Sequence, residues 1–229
     1  MAAGILAGMD AIRFHRRGFL WLGAGAAAAL FPPGLAHAGE VLDWGDFVAR
    51  GPSLREAARA GTAPGIDAYL YTIAALAVRL TGVPDAKLFP FKPRAPLVSL
   101  APIHRGVPLV VIEWRMEPGA VLQAHNHPGY SVCTLGLEGE AEMRHYQVAP
   151  DAPPFSSRVP FAVRKTRELV LGPRSISTLA PERDNVHTFT AGPRGARGID
   201  IGTLHAAKDT GFSFLAIAPG EREARWDGN

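Results

Sequence analysis

From Pro96 onward the chain is a succession of short apolar and β-branched segments separated by turn residues, and this pattern limits the fold more than any other feature. Leu109–Met116 is the clearest segment, and Glu117-Pro118-Gly119 closes it. Further strands are predicted over Val121–Ala124, Ser131–Leu137, Glu140–Tyr146, Glu168–Leu171, Ser175–Leu179, His187–Ala191, Ala196–Thr203 and Phe212–Ile217. Short strands at such spacing, with 25 glycines and 20 prolines to supply turns, favour a closed or sandwiched β fold over a helical bundle. Ala149 to Val163 holds four prolines and little periodicity, so it is expected to be a surface loop near the barrel mouth. No internal repeat is present.

Two helices are predicted ahead of the strands. Ser53-Leu54-Arg55-Glu56 has the serine-to-glutamate spacing of a capping box, with Gly61 as the stop. Ile66 to Leu80 carries Ile66, Leu70, Ile73, Ala74, Ala77 and Leu80 at helical spacing, and Gly82 and Pro84 end it. Both are expected to pack on the outside of a sheet.

The 229 residues suffice for one domain with a sizeable core, or two small ones. The net charge of +3 sits mostly at the front, where Arg13, Arg16 and Arg17 face Asp10 alone. Beyond residue 38 there are 21 basic and 20 acidic side chains, which argues against a nucleic-acid partner, since that would need a clustered basic face. The one cysteine, Cys133, forms no internal disulfide, and core packing is its expected role.

Residues 13–38 run from a basic stretch through Gly18-Phe19-Leu20 to an uncharged apolar run, Trp21 to Leu35, and close on Ala36-His37-Ala38. The run is short and broken by Gly23, Gly25, Pro32, Pro33 and Gly34, whereas a span needs about 20 consecutive apolar residues. This favours a cleaved export signal over an anchor, with a mature chain beginning near Gly39. Arg16-Arg17 followed by Phe19-Leu20 resembles a twin-arginine signal. The resemblance implies the twin-arginine export machinery as a partner and a periplasmic or otherwise exported location. It also implies folding and metal loading in the cytoplasm, away from Cu²⁺ and Zn²⁺, which bind nitrogen sites more tightly than Fe²⁺ does.

Six histidines lie beyond the signal. His125-Asn126-His127 sets two imidazoles on one face of a strand, so both can reach one ion while Asn126 faces away. His104, before Arg105-Gly106 in an apparent turn, is read as structural. So is His205, in a polar connection; His145 shares the strand parity of Met143 and is read as a core or supporting group.

Gly119, six positions before His125, and Gly139, twelve after His127, resemble the first motif of the cupins. The glutamate usual in that motif falls at Ser131 or Val132 here, which leaves a site of histidines only. Asp184-Asn185-Val186-His187, with Pro181 ahead, resembles the second motif, and the third ligand is expected from a later strand across the barrel. The resemblance implies a mainly β fold, a cupin double-stranded β-helix (jelly-roll barrel) with one or two N-terminal helices. The expected layout is a signal over 1–38, a helical segment over 39–95 and the barrel over 96–229.

A narrower resemblance covers Leu97 to Thr203. His125-Asn126-His127-Pro128-Gly129, Val132 and Gly139, then Asn185 to Ala191, then Ile199-Asp200-Ile201, are similar to the cysteamine dioxygenase and plant cysteine oxidase family. That family holds Fe(II) on three histidines and uses O₂ to convert a thiol to a sulfinic acid. The resemblance implies His125, His127 and His187 as iron ligands, and Asp200 as a group that approaches the substrate's amine or orients the site. It implies a small aminothiol or an N-terminal cysteine as substrate and O₂ as co-substrate. After Thr203 the family's proline pair and tyrosine are missing, so the substrate pocket is expected to differ; Tyr130 is a candidate for its mouth. Two alternatives stand beside this reading: another metal-dependent cupin enzyme, such as an isomerase or a non-thiol dioxygenase, or a non-catalytic periplasmic ligand-binding cupin.

Overall fold

The computed structural model describes residues 41–51, 54, 63–92, 95–106, 108–154, 157–205 and 213–228. The export signal over 13–38 and the capping box at Ser53 with its stop at Gly61 lie outside them. Among the described residues no helix is long and apolar enough to cross a membrane.

A two-residue strand, β1 (Leu42–Asp43), leads into helix α1 (Trp44–Ala49), where the Asp43 side chain accepts a 2.7 Å hydrogen bond from the Gly45 N–H. Helix α2 spans Ala63–Ala77 and β2 spans Leu80–Thr81. The helix predicted to reach Leu80 stops earlier because Leu80 and Thr81 pair in parallel with β1. Ile66, Tyr69, Leu70, Ile73, Leu76 and Ala77 are buried, the stripe of a helix seated on a sheet. Tyr69 Oη sits 2.9 Å from Thr203 Oγ1 and ties that stripe to the barrel.

The remaining strands are β3 (Phe89–Phe91), β4 (Ala95–Arg105), β5 (Leu109–Met116), β6 (Val121–Asn126), β7 (Tyr130–Val148), β8 (Phe161–Leu171), β9 (Ile176–Leu179), β10 (Val186–Leu204), β11 (Phe214–Ile217) and β12 (Glu223–Gly228). Strand β10 lies against β7 along its whole length, while its other edge pairs first with β6 and then with β5. From β6 the pairing continues through β11, β12 and β8 back to β7, which closes a barrel. The result is the expected double-stranded β-helix, mainly β with a helical N-terminal flank.

Several expectations need correction. The pairs predicted at Ser131–Leu137 with Glu140–Tyr146, and at His187–Ala191 with Ala196–Thr203, are single strands of 19 residues each. Each bends instead of ending: the register shifts between Ala191 and Ala196, opposite Gly139. At that bend Gly139 has φ of 62°, and a Cβ there would come within 2.1 Å of the Gly195 carbonyl oxygen. The apparent turn at His104 is the end of β4, which sequence reading overlooked, and the loop expected to reach Val163 gives way to β8 at Phe161.

The bend brings distant residues together. The residues so gathered are the two ends of β10: Leu204 pairs with Tyr130 and Val186 with Asn126, which are neighbours across the Pro128-Gly129 turn. Both ends of β10 return to one mouth.

A Gly139→Ala variant therefore meets a left-handed backbone and a backbone oxygen at once, with an expected loss of at least about 2 kcal/mol. Chemical denaturation of the two proteins side by side measures it, and an unchanged midpoint would show that the bend does not depend on this glycine.

Candidate metal centre

His125 and His127 come from the end of β6, where a bulge sets their direction. His187 pairs with His125, but Phe189 pairs with Leu122, so β6 has one extra residue in that interval. An extra residue reverses the alternation of a strand. Leu122 and Phe189 therefore sit together in the core, and His125 still faces the same interior as His187. His127 follows just past the strand. Pro128 and Gly129, the latter with φ of 75°, then turn the chain into β7 in the manner of a Pro-Gly turn.

His187 is the second residue of β10, in a hydrogen-bonded strand next to His125 and not across the barrel as expected. The approach to it is fastened on several sides. Asn185 Oδ1 accepts from the Val148 N–H at 3.3 Å, and Gln147 Oε1 accepts from the Asp184 N–H at 2.8 Å. Arg183 donates to Asp67 of α2 at 2.9 Å.

The three imidazoles meet at their Nε2 atoms. His187 Nε2 lies 2.9 Å from His127 Nε2 and 3.0 Å from His125 Nε2. All three side chains are buried. His125 Nδ1 donates to the Gln123 carbonyl at 2.9 Å, which fixes its tautomer and leaves Nε2 a bare lone pair. A single hydrogen on the remaining two nitrogens cannot bridge both contacts, so one pair of lone pairs or of N–H groups stays opposed. Extra protons do not relieve it. Burial lowers the His125 pKa to about 4, and burial together with the neighbouring histidines holds His127 and His187 well below their ordinary value.

A cation at the meeting point relieves the conflict, and the spacing suits one. Bonds of about 2.1 Å at right angles separate neighbouring nitrogens by about 3.0 Å, whereas tetrahedral bonds of that length separate them by about 3.4 Å. The two contacts to His187 have the separation of neighbouring ligands on one ion, all three ligand nitrogens lie within 4.8 Å of one another, and no other group of three His, Cys, Asp or Glu side chains among the described residues is so arranged.

Asp200 is not part of this group. It lies in the bent-back half of β10, opposite Thr134, whose hydroxyl donates to it at 2.6 Å. Burial raises its pKa to about 6, against the opposing effects of Thr134 and Trp114. It is connected to the histidines through packed rings: His187 to Phe189 at 4.7 Å and Phe189 to Trp114 at 5.3 Å. On the other side Tyr130 stands edge-on to His127, and burial, with the Asp200 charge as a lesser cause, raises its phenol pKa. Tyr130 thus stands beside a member of the histidine group.

His145, read from sequence as a core or supporting group, aligns with His187 across the β7–β10 pair, and its ring is 6.0 Å from that of His187. Its Nε2 lies 2.7 Å from Ser177 Oγ, a partner that strand parity gave no means of finding. His205 is outside the cluster, with Nε2 2.8 Å from Ser131 Oγ, and Cys133 is fully buried as expected. A cavity of about 500 Å³ opens beside His127, between the 149–154 loop, Pro181, Asn185 and Trp226.

No family model matches the chain. It is 35% identical over 77 residues to plant cysteine oxidase 1 of Arabidopsis thaliana, covering 33% of this chain and 26% of that protein. To plant cysteine oxidase 2 of the same plant it is 31% identical over 99 residues, covering 43% and 36%. The chain thus spans about a quarter to a third of the curated relatives it matches. Similar solved structures include a recombinant oxalate oxidase in complex with glycolate, with 12% identity, 57% of this chain and 62% of that one covered, and a TM-score of 0.41. The cupin domain of Schizosaccharomyces pombe Cnp3 gives 10% identity, 54% and 72% coverage, and a TM-score of 0.39.

Depressed histidine pKa values have a stability consequence with a definite sign. The unfolded chain, with histidines near 6.5, binds more protons than the fold between about pH 6.5 and 4. Metal-free protein therefore loses stability as pH falls through that window and holds it fully above. Saturating metal adds RT ln(1 + [L]/Kd), about 2.7 kcal/mol at a hundredfold excess over Kd. Thermal melts with and without Fe²⁺, Mn²⁺ or Zn²⁺ should show the gain at neutral pH, its loss on acidification, and none in His187→Ala. An equal gain in that variant would contradict the site.

Proposed function

We propose that this chain is an iron-dependent thiol dioxygenase of cupin fold, carrying out R–SH + O₂ → R–SO₂H, with His125, His127 and His187 as the iron ligands. The observation that carries the reading is the cluster of three buried histidines, whose ligand nitrogens lie within 4.8 Å of one another with no carboxylate among them. The partial likeness to plant cysteine oxidases supports the choice of chemistry. When bound, iron(II) would be held by these three histidines and would supply open coordination positions for a thiolate and O₂.

The chain's own part is electrostatic and geometric. Three uncharged donors leave the ion's positive charge undiminished, which favours thiolate over thiol in the buried site. Neither a protein nucleophile nor Cys133 is needed, since burial pushes the Cys133 thiol pKa far up and keeps it protonated. Asp200 offers one carboxylate in the lumen to the ammonium group of an aminothiol, a charge-assisted contact that orients the sulfur. Tyr130, seated on His127, narrows the opening between the two. The reading includes folding before export through the twin-arginine route to the periplasm, supported by Arg16-Arg17 and Phe19-Leu20.

Iron-loaded protein should take up O₂ in step with sulfinate formed from an aminothiol, and no thiol-dependent uptake with cysteamine, cysteine or 3-mercaptopropionate would overturn the proposal. The Asp200 carboxyl is raised to about 6, so it is charged above that pH and loses its charge below it. Turnover of an aminothiol should fall as pH drops through about 6. Asp200→Asn should lower kcat/KM for aminothiols by roughly ten- to a hundredfold, in line with a lost charge-assisted hydrogen bond, and remove that acidic limb.

A further inference from the structure

Asp200 lies between two glycines on one face of β10, Gly198 and Gly202, and an aromatic ring covers each of them. Trp114 pairs with Gly198, where a Cβ would collide with its Cζ2 and stand 2.8 Å from its Cη2, so this ring rests on the strand backbone. A Cβ at Gly202 would stand 3.6 Å from Cδ2 and 3.8 Å from Cε2 of Tyr130. Tyr130 itself pairs with Leu204, so its ring leans along the strand toward Asp200, while it stays edge-on to His127. Thr134, which bonds Asp200, is four residues from Tyr130 in unbroken register and shares its face.

Register also sets Asp200 across the interior from the histidines. Thr134 pairs with Asp200 and Ser177 with Thr134, so the three form a row over β10, β7 and β9. Beyond the bend, His125, His187 and His145 form a second row over β6, β10 and β7. The two rows touch where Ser177 Oγ lies 2.7 Å from His145 Nε2, both side chains being buried. They meet again at Trp114 and Phe189, 5.3 Å apart, Phe189 being two residues deeper along β10 than His187. Asp200 and the histidines therefore look into one chamber, bounded by those two contacts. Tyr130 stands at its mouth end, against His127.

We propose that Tyr130 is a specificity-determining residue, whose ring confines the chamber to a small aminothiol and excludes the N-terminal cysteine of a peptide. Cysteamine and such a cysteine carry the same two carbons between nitrogen and sulfur. With sulfur at the histidines and ammonium at Asp200, they differ only in what hangs from the carbon beside the nitrogen. In a peptide that is a carbonyl and the rest of the chain, which leaves by the mouth where Tyr130 stands. A ring already packed on His127 and on the backbone at Gly202 yields to added atoms only at a cost. The thiol as ligand class rests on the proposed dioxygenase activity; the placement of the ring does not.

The test is anaerobic titration of cobalt(II)-loaded protein with cysteamine and with cysteinyl-glycyl-glycinamide, read from the thiolate-to-cobalt charge-transfer band. Wild-type protein is expected to bind cysteamine at least about tenfold more tightly than the peptide. Tyr130→Ala should reduce that preference at least about tenfold by tightening the peptide, and Tyr130→Phe, which keeps the ring, should retain it. Equal affinities in the wild type, an unchanged preference in Tyr130→Ala, or no band with either thiol would overturn the proposal. The wild-type comparison can refute it even if the alanine variant does not fold. Selective thiol binding in a protein whose iron form takes up no O₂ would sink the reaction and leave the size limit standing, whereas O₂ uptake without selectivity would do the reverse.

Discussion

One inserted residue in β6 decides whether this barrel has a site. Without the bulge between Leu122 and His125, strand alternation would give the core Leu122 and turn His125 outward. With it, both face inward, one against Phe189 and the other against His187. The third imidazole then arrives by register alone, because β10 lies directly beside β6. The Pro128-Gly129 turn keeps Tyr130 beside His127, and the bend of β7 and β10 at Gly139 folds Asp200 back toward the same interior.

Three neutral histidines packed nitrogen to nitrogen in a dry interior are an expensive arrangement for a chain with no use for it. Two buried imidazoles, His127 and His187, also have Nδ1 atoms without a hydrogen-bond partner among the described residues. Buried polar groups in that state cost about 1–3 kcal/mol each. Such a cost is typical of a functional site and unusual in a core kept only for stability. The rings around the cluster, Phe189, Phe214 and Tyr130, keep solvent away and hold the imidazoles uncharged, the state in which they coordinate a metal.

Much of this was legible in the sequence. Leu109–Met116 was readable to the residue because both of its ends carry turn chemistry, and the apolar stripe of α2 was clear from its period. His125 and His127 stood out through spacing against Gly119 and Gly139, and His187 through Asp184-Asn185-Val186 before it and Pro181 ahead. What stayed hidden was tertiary. A glycine with positive φ inside a continuous strand looks the same in sequence as a glycine in a turn, so β7 and β10 were each read as two strands. The bulge leaves no local signal at all, and neither does the pairing of β10 with β6 that sets His187 beside His125 instead of opposite it. β4 was missed because its prolines, Pro96 and Pro102, read as breaks, though both are accommodated in the strand. The cavity beside His127 draws on four separate segments and had no counterpart in any one of them.

The central claim is that three imidazoles share one ion. X-ray absorption at the iron edge of reconstituted protein tests it directly, since imidazole rings leave a distinct multiple-scattering signature. Three imidazole ligands at about 2.1 Å are predicted, with a sulfur scatterer joining only after a thiol is added. A first shell with fewer than three imidazoles, or one built mainly from carboxylate oxygen, would contradict it.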